Sequence, residues 1–289
     1  YRLVGSEMCI RDRINGVPQN DMENGWVYWS NWDGVADAAN SIQLQRGLSA
    51  VNLATPSIGG TMNIITDPAS NERGGKFKQE GGAGNFLKTT FNYNTGLMLG
   101  DKLALSGTLV RKTGDGIIDA TWTDAWAYYL GSSLQLNEDH RFELYAIGAP
   151  QRHGQNLYKQ NIATYSQDLA SDVDGYDVTA FAEGNKFETE AGRTFNQNWG
   201  PVSSDYTGKQ YWYMYGVGGL FGGGNQPRYS ANFLNERENF FHKPLVNLNH
   251  FMTINEKTRL SSVLYWSGGS GGGTGTYGSS FRKPAVDGN

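Results

Sequence analysis

Phe86 to Arg111 reads FLKTTFNYNTGLMLGDKLALSGTLVR, two strands with a tight turn between them. From Thr89 to Leu99, one face carries Thr89, Phe91, Tyr93, Thr95, Leu97 and Leu99, and the other carries Thr90, Asn92, Asn94, Gly96 and Met98, because successive side chains of a strand point to opposite sides. Asp101-Lys102 suits a turn. Beyond it, Leu103, Leu105, Gly107 and Leu109 line one side against Ala104, Ser106 and Thr108. Trp126 to Leu136 repeats the pattern, with Trp126, Tyr128, Leu130, Leu134 and Leu136 set against Ala127, Gly131, Ser133 and Gln135. Runs of about 10 residues exceed the ~5 to 6 usual in soluble sheets and match the ~9 to 11 that cross a bilayer at a tilt.

Working outward, Gly75 to Gly84, Arg141 to Gly148, Lys243 to Ile254 and Arg259 to Trp266 are further strands. The last two have weaker patterns: His250 shares a face with Val246, Leu248, Met252 and Ile254, and Arg259 to Trp266 is apolar on both faces. The connections alternate. Asp101-Lys102, Asn137 to His140 and Asn255 to Thr258 are short, whereas Gly114 to Ala125, Gln151 to His242 and the Gly-rich tail from Ser267 are long. Outer-membrane barrels have this asymmetry, with short periplasmic turns and long extracellular loops. The expected fold is therefore mainly β, about seven antiparallel strands rising first from the periplasm at Gly75. Bacterial single-chain barrels have even strand numbers, so seven reads as an incomplete set, truncated after Asn289.

Composition excludes other classes. The chain has 289 residues with 39 Gly, 13% aromatic and only 18% charged residues, and a mean hydropathy of −0.53. No stretch approaches the ~18 to 20 apolar residues of a membrane helix. The 24 basic and 28 acidic residues give a net charge of −4 without a basic cluster, so no nucleic-acid partner is expected. A single cysteine, Cys9, permits no intrachain disulfide and no C-x-x-C metal site. The sequence holds no G-x-S-x-G, Walker A or H-E-x-x-H string, and His140, His153, His242 and His250 have no ligand spacing. Neither an enzyme nor a cofactor is expected. Residues 1–13, YRLVGSEMCIRDR, lack the apolar core of a secretory signal. They resemble translated sequencing-adapter read-through and are set aside as a non-native leader.

Residues 14–72 read differently. INGVPQNDMENGWVYWSNWDGV leads into SIQLQRGLSAVNLATPSIGGTMNIITD, with a strand at Ile42 to Arg46, breaks at Gly47 and at Pro56 to Gly60, and a second strand at Thr61 to Thr66. Gly59-Gly60 suits a positive φ or close backbone approach. Asn15 to Pro18, Ile42 with Gln45-Arg46-Gly47, and Pro56 to Thr66, followed at once by long alternating strands, resemble the junction of plug and barrel in TonB-dependent outer-membrane receptors, particularly those of Bacteroidetes. The resemblance implies a partial plug over 14–72 and, over 73–289, the first strands of a barrel of about 22 strands, with an extracellular loop over 151–242. It also implies a monomer at full length in the outer membrane of a Gram-negative cell. Such a receptor is surrounded by lipid and works with TonB through an N-terminal segment missing here. It takes up a siderophore, haem, cobalamin or an oligosaccharide by displacing the plug. A non-energised porin or adhesin barrel explains the strands without the plug strings, and a secreted carbohydrate-binding β-protein would fit the Gly, Asn and Tyr content.

Candidate binding residues follow from aromatic clusters. Trp26, Tyr28, Trp29, Asn31 and Trp32, beside Asn24 and Asp33, suit an apical plug loop on which a ligand stacks, or rings that pack the plug on the barrel wall. Tyr211, Trp212, Tyr213 and Tyr215 suit a lid within the long loop. By resemblance, Arg46 is the plug arginine that pairs with barrel-wall acids. Asp172, Asp174 and Asp177 lack EF-hand spacing, and no metal site is assigned.

Overall fold

The computed structural model describes residues 10–21, 23–47, 59–157, 162–177, 192–196, 198–201, 211–214, 224–227, 233–235 and 237–275. The plug portion is a four-stranded mixed sheet in the order β2-β1-β4-β3, formed by β1 (Ile10–Ile14), β2 (Val17–Pro18), β3 (Ser41–Arg46) and β4 (Gly60–Ile65). Asn15 and Gly16, at φ 50° and 86°, join β1 to β2. This is the doubly left-handed turn that Asn-Gly favours in hairpins. β1 lies parallel to β4, from Ile10 opposite Gly60 to Ile14 opposite Ile64. At Gly60 (φ 136°) a Cβ would stand 2.4 Å from the Gln45 carbonyl, so this position needs glycine. The sheet reaches back to Ile10, inside the segment set aside as a leader; residues 1–9 lie outside the described residues, as does 48–58. Between β2 and β3 run a 3-10 turn, Trp29–Trp32, and a short helix, α1 (Val35–Ala38).

The wall follows as an antiparallel meander. It comprises β5 (Gly74–Gly82), β6 (Phe86–Met98), β7 (Leu103–Gly114), β8 (Thr123–Gln135), β9 (His140–Gly148) and β10 (Gln151–Gly154). After the long connection come β15 (Glu238–His242), β16 (Leu245–Asn255), β17 (Thr258–Ser267) and β18 (Ser270–Gly273). That connection contains α2 (Gln167–Ser171) and two small strand pairs, β11 (Trp199–Pro201) with β14 (Phe233–Asn235) and β12 (Tyr211–Met214) with β13 (Gly224–Pro227). The ten wall strands are seven passes of the chain, because β9–β10, β15–β16 and β17–β18 are each one pass interrupted by two residues. Ala149-Pro150, Lys243-Pro244 and Gly268-Gly269 break the three passes at one level. Proline has no N–H for the ladder, and the Pro244 carbonyl instead accepts from Gly268 N (3.3 Å) and Ser267 Oγ (2.9 Å). The ladder thus runs to Gly154 and resumes at Glu238, so the long loop is shorter at both ends than the sequence suggested.

The two faces differ as the alternation predicts. Toward the plug, Thr90, Ala104, Ser106, Thr108, Ala127 and Ser133 are buried. On the opposite face, Phe77, Phe91, Leu105, Leu109, Leu130, Leu144, Leu248 and Leu264 are exposed, Phe77 to 68% and Leu264 to 71%. Small and polar inside with large and apolar outside inverts a water-soluble sheet and suits a lipid-facing wall. At the long-loop end of this apolar face, Arg111 pairs with Asp124 and lies 5.1 Å from the Trp126 ring, an aromatic and charged border suited to a membrane interface. His250, the anomaly of the β16 row, lies near the other end. Its Nε2 is 3.0 Å from His140 Nδ1, and its ring is 4.4 Å from that of Phe142.

Loop parity has one exception. Ala83 to Asn85 is a tight turn at the long-loop end. It is held beneath the next loop: Asp115 N donates to Gly84 O at 2.7 Å, and a Cβ on Gly84 would stand 2.5 Å from the Gly116 carbonyl oxygen.

Candidate functional site

The wall's register sets the height of the plug. Lys88 is opposite Lys112 toward the long-loop end of β6 and β7, and Asn94 is opposite Ser106 toward the short-turn end. Lys88 Nζ is 2.8 Å from Asp37 Oδ2, and Lys112 pairs with Asp33. Asn71 instead reaches Asn94 and Ser106 at 3.4 and 3.5 Å. The plug therefore descends from the long-loop end at residues 30–37 to the short-turn end at Asn71, which makes the Trp-rich segment apical.

Further bonds pin this descent. Gln151 Nε2 donates to Ser30 O (2.8 Å), and Asn249 Nδ2 donates to Asn15 O (3.2 Å). Asn15 also clamps Thr66, donating from Nδ2 to Thr66 Oγ1 at 2.8 Å and accepting from Thr66 N at 2.9 Å. The buried Tyr145 hydroxyl lies between Thr66 O (3.0 Å) and Glu143 Oε2 (2.9 Å). At Gly34 (φ 91°) the backbone comes so close to the wall that a Cβ would stand 2.5 Å from that of Ala127. Ile14, Val17, Trp32, Val35 and Ile64 of the plug share one apolar cluster with Tyr129, Tyr145, Ile147 and Leu245 of the wall.

The apical loop is built by side-chain to backbone bonds. Asn20 accepts from Asp12 N (2.9 Å) and donates to Ile10 O and Gly25 O (2.9 and 3.0 Å). Asp21 Oδ1 accepts from Glu23 N and Asn24 N at 2.9 and 3.1 Å. The bonds from Asn24 and Glu23 hold its carboxyl below the usual range. Asn24 Oδ1 accepts from Trp26 N (2.8 Å), and Asn24 Nδ2 donates to the Tyr28 hydroxyl (3.2 Å). Trp26, Tyr28 and Trp29 stand out from this loop, 46%, 51% and 41% exposed. A crevice of about 660 Å³ separates the loop from the wall, lined in part by Arg11, Asp21, Glu23, Asn24, Lys243 and Tyr265.

The five predicted apical residues thus divide. Trp26, Tyr28 and Trp29 present free ring surface, whereas Trp32 (3% exposed) packs in the plug–wall cluster, with Lys243 Nζ 5.9 Å from its ring centroid. Asn31 is also buried, its backbone N–H donating to Tyr28 O. Arg46 ends β3, an edge strand of the plug sheet. It is exposed, with no ion pair among the described residues. Tyr211, Trp212 and Tyr213 lie in β12, and Tyr215 lies outside the described residues. Among the described residues, no three acidic, His or Cys side chains converge as a metal site would require, around Asp172, Asp174 and Asp177 or elsewhere. The Lys88–Asp37 and Lys112–Asp33 pairs were not foreseen. Their one signal was the absence of Lys and Arg between Arg13 and Arg46, a span carrying four acids.

A small mixed sheet bonded to the concave side of a tall antiparallel wall, apolar on its outer face, is the plug-and-barrel fold of TonB-dependent outer-membrane receptors. The chain is similar to the ferric-catecholate import receptor Fiu of E. coli K12 in its open form (TM-score 0.54, 13% identity, 92% of this chain and 32% of that one). It is also similar to the ferric yersiniabactin uptake receptor FyuA of Yersinia pestis (TM-score 0.54, 16% identity, 93% and 33%) and to the unliganded ferric citrate transporter FecA (TM-score 0.56, 13% identity, 94% and 32%). The chain spans about a third of the length of these receptors. No family model and no curated protein matches the sequence.

Proposed function

We propose that this chain is part of a receptor that takes up a scarce solute across the outer membrane with energy from TonB and the inner-membrane proton gradient. Residues 14–72, with residues 10–13 paired to them in β1, are its plug portion, and 73–289 are its first wall strands. The full-length protein acts as a monomer and makes no covalent change in its solute. The observation that carries this reading is the plug–wall contact itself. A plug that must be displaced needs a register fixed by many separable bonds, and here ion pairs and amide bonds at three levels supply it.

The test uses the full-length receptor in cells. A disulfide between cysteines replacing Asp33 and Lys112 should block solute uptake and reductant should restore it, while a protonophore abolishes uptake by the unlocked protein. Uptake that survives both the lock and the protonophore would favour a non-energised porin.

A further inference from the structure

We propose that the short-turn end of the wall's outer face holds a site for a soft monovalent cation, Cu(I), formed by His140, His250 and Met252. Strand register brings together histidines that lie 110 positions apart in the chain. Met252 of β16 is directly opposite His140 of β9, and His250 is opposite Phe142, so the four form a two-by-two block on the face that carries Leu144 and Leu248. The Cβ atoms of such opposite pairs lie about 4.5–5.5 Å apart. His140 Nδ1 is 3.0 Å from His250 Nε2. The two rings are within 5° of parallel with centroids 5.2 Å apart, a spacing that this N–N distance allows only when both nitrogens lie near the line joining the centroids. The imidazoles therefore face each other edge to edge, with a single hydrogen held between the facing nitrogens. Phe142 stacks on the His250 ring at 4.4 Å and 6° and covers one of its faces. The turn before β9 sets this geometry: Asn137 Oδ1 accepts from Asp139 N and His140 N, both at 3.0 Å, and Asp139 O accepts from Thr253 N at 2.9 Å.

Two imidazoles on a face otherwise given to residues such as Leu144 and Leu248 need a reason, because polar groups set against hydrocarbon cost free energy unless they are satisfied. Two imidazole nitrogens and a thioether form a soft donor set, and thioether sulfur selects Cu(I). The third donor is a methionine, so the site is not one of acids, histidines and cysteines alone. Three such ligands suit an ion of one charge, whereas Zn²⁺ takes four and would bring a second charge to the edge of the hydrocarbon. On binding, the metal takes the place of the shared hydrogen, which moves through solvent to the far nitrogen of its own ring. Both rings stay neutral, and both facing nitrogens become ligands. With metal–nitrogen bonds of about 2.0 Å, a linear N–metal–N unit needs the nitrogens about 4 Å apart. The pair then opens by about 1 Å, within reach of χ rotation in two half-buried side chains. Met252, half-buried beside them, supplies sulfur from a flexible side chain. The bound ion ties β9 to β16 and stabilises the wall at its short-turn rim.

The test uses the purified full-length receptor in detergent without oxygen, with Cu(I) offered as its bicinchoninate complex. His140→Gln and His250→Gln should each remove one equivalent of the Cu(I) that the wild type withdraws from the complex. Met252→Leu, close to isosteric, should weaken that equivalent by about tenfold or more and remove sulfur from its X-ray absorption spectrum. Equimolar Zn²⁺ should not displace it. Heat-modifiable gel mobility checks that each variant closes its barrel, and Met252→Leu decides the matter if a histidine variant fails that check. Equal retention of Cu(I) by the wild type and Met252→Leu, a wild-type spectrum without sulfur, or displacement by equimolar Zn²⁺ would overturn the proposal.

Discussion

Replacing Gly34 by alanine places a methyl carbon 2.5 Å from the Ala127 Cβ, well inside contact distance, on a residue whose φ is 91°. Two separable penalties follow. Forcing an extra carbon into a packed interface costs about 1–3 kcal/mol, and holding a side-chain-bearing residue in a left-handed conformation costs about 1–2 kcal/mol more. Together they weaken the plug–wall contact by about 2–5 kcal/mol. Hydrogen exchange in the full-length receptor reads this directly as faster exchange of the β1 and β4 amides, by about tenfold for each 1.4 kcal/mol, while the β7 to β9 amides stay protected. A second substitution isolates the steric part. Ala127→Gly removes the offending methyl and leaves Val110 Cγ2, at 3.4 Å, as the nearest neighbour. The double variant should therefore recover about 1–3 kcal/mol and retain the backbone penalty. Wild-type exchange in Gly34→Ala, or no recovery on adding Ala127→Gly, would show that the plug does not sit against β8 at this point.

Leu130, 61% exposed in the middle of β8, faces hydrocarbon on this account; Leu130→Arg should destabilise the full-length barrel by about 2–4 kcal/mol, read as a lower urea midpoint in detergent or lipid. Tyr145→Phe removes the hydroxyl between Thr66 O and Glu143 and should destabilise the plug–wall contact by about 1–3 kcal/mol, visible as faster exchange around Thr66; unchanged exchange would count against that clamp. Burial raises the Asp12 carboxyl above its ordinary pKa. Its contribution to plug stability is therefore fully present below the unfolded value and is lost as pH rises through the raised folded value. Asp12→Asn should make the plug more stable at neutral pH and less dependent on pH across that interval, as followed by exchange of β1; a loss of stability there would refute the assignment.

The wall was legible because lipid on one side and a plug on the other impose a period of two; β7 and β8 keep it at Leu105, Leu109 and Leu130, whereas β6 keeps it at Phe91 but is broken by a bulge between Asn94 and Leu97, which brings Leu97 opposite the buried Ala104 and off the row that the alternation predicts. It was less legible in β16 and β17. His250 interrupts the apolar row for a local reason, its bond to His140. Val263 is on the plug side, with its Cγ2 3.9 Å from the position of a Cβ on Gly16, yet it stays 46% exposed at the edge of the wall, where the inner face is only partly covered. The connection at Ala83 to Asn85, which the sequence pattern left unassigned, is a short turn where a neighbouring loop covers it. In the apical segment, composition identified the aromatic cluster but could not divide it. That Trp32 packs while Trp26, Tyr28 and Trp29 stand free depends on the 3-10 turn and on wall residues more than 90 positions away, at Tyr129, Tyr145 and Leu245. Arg46 matched a family string, yet its strand lies at the sheet edge, and it makes no ion pair among the described residues.

The central claim is that one row of each wall strand meets lipid and the other meets the plug. Nitroxide labels placed one at a time along residues 103–110 of the full-length receptor in bilayers test it through collision rates with oxygen and with a water-soluble nickel chelate. The account predicts high oxygen and low nickel exposure at positions 103, 105, 107 and 109, with low exposure to both at 104, 106, 108 and 110. Equal oxygen exposure in the two rows, or an odd-numbered row shielded from oxygen, would contradict it.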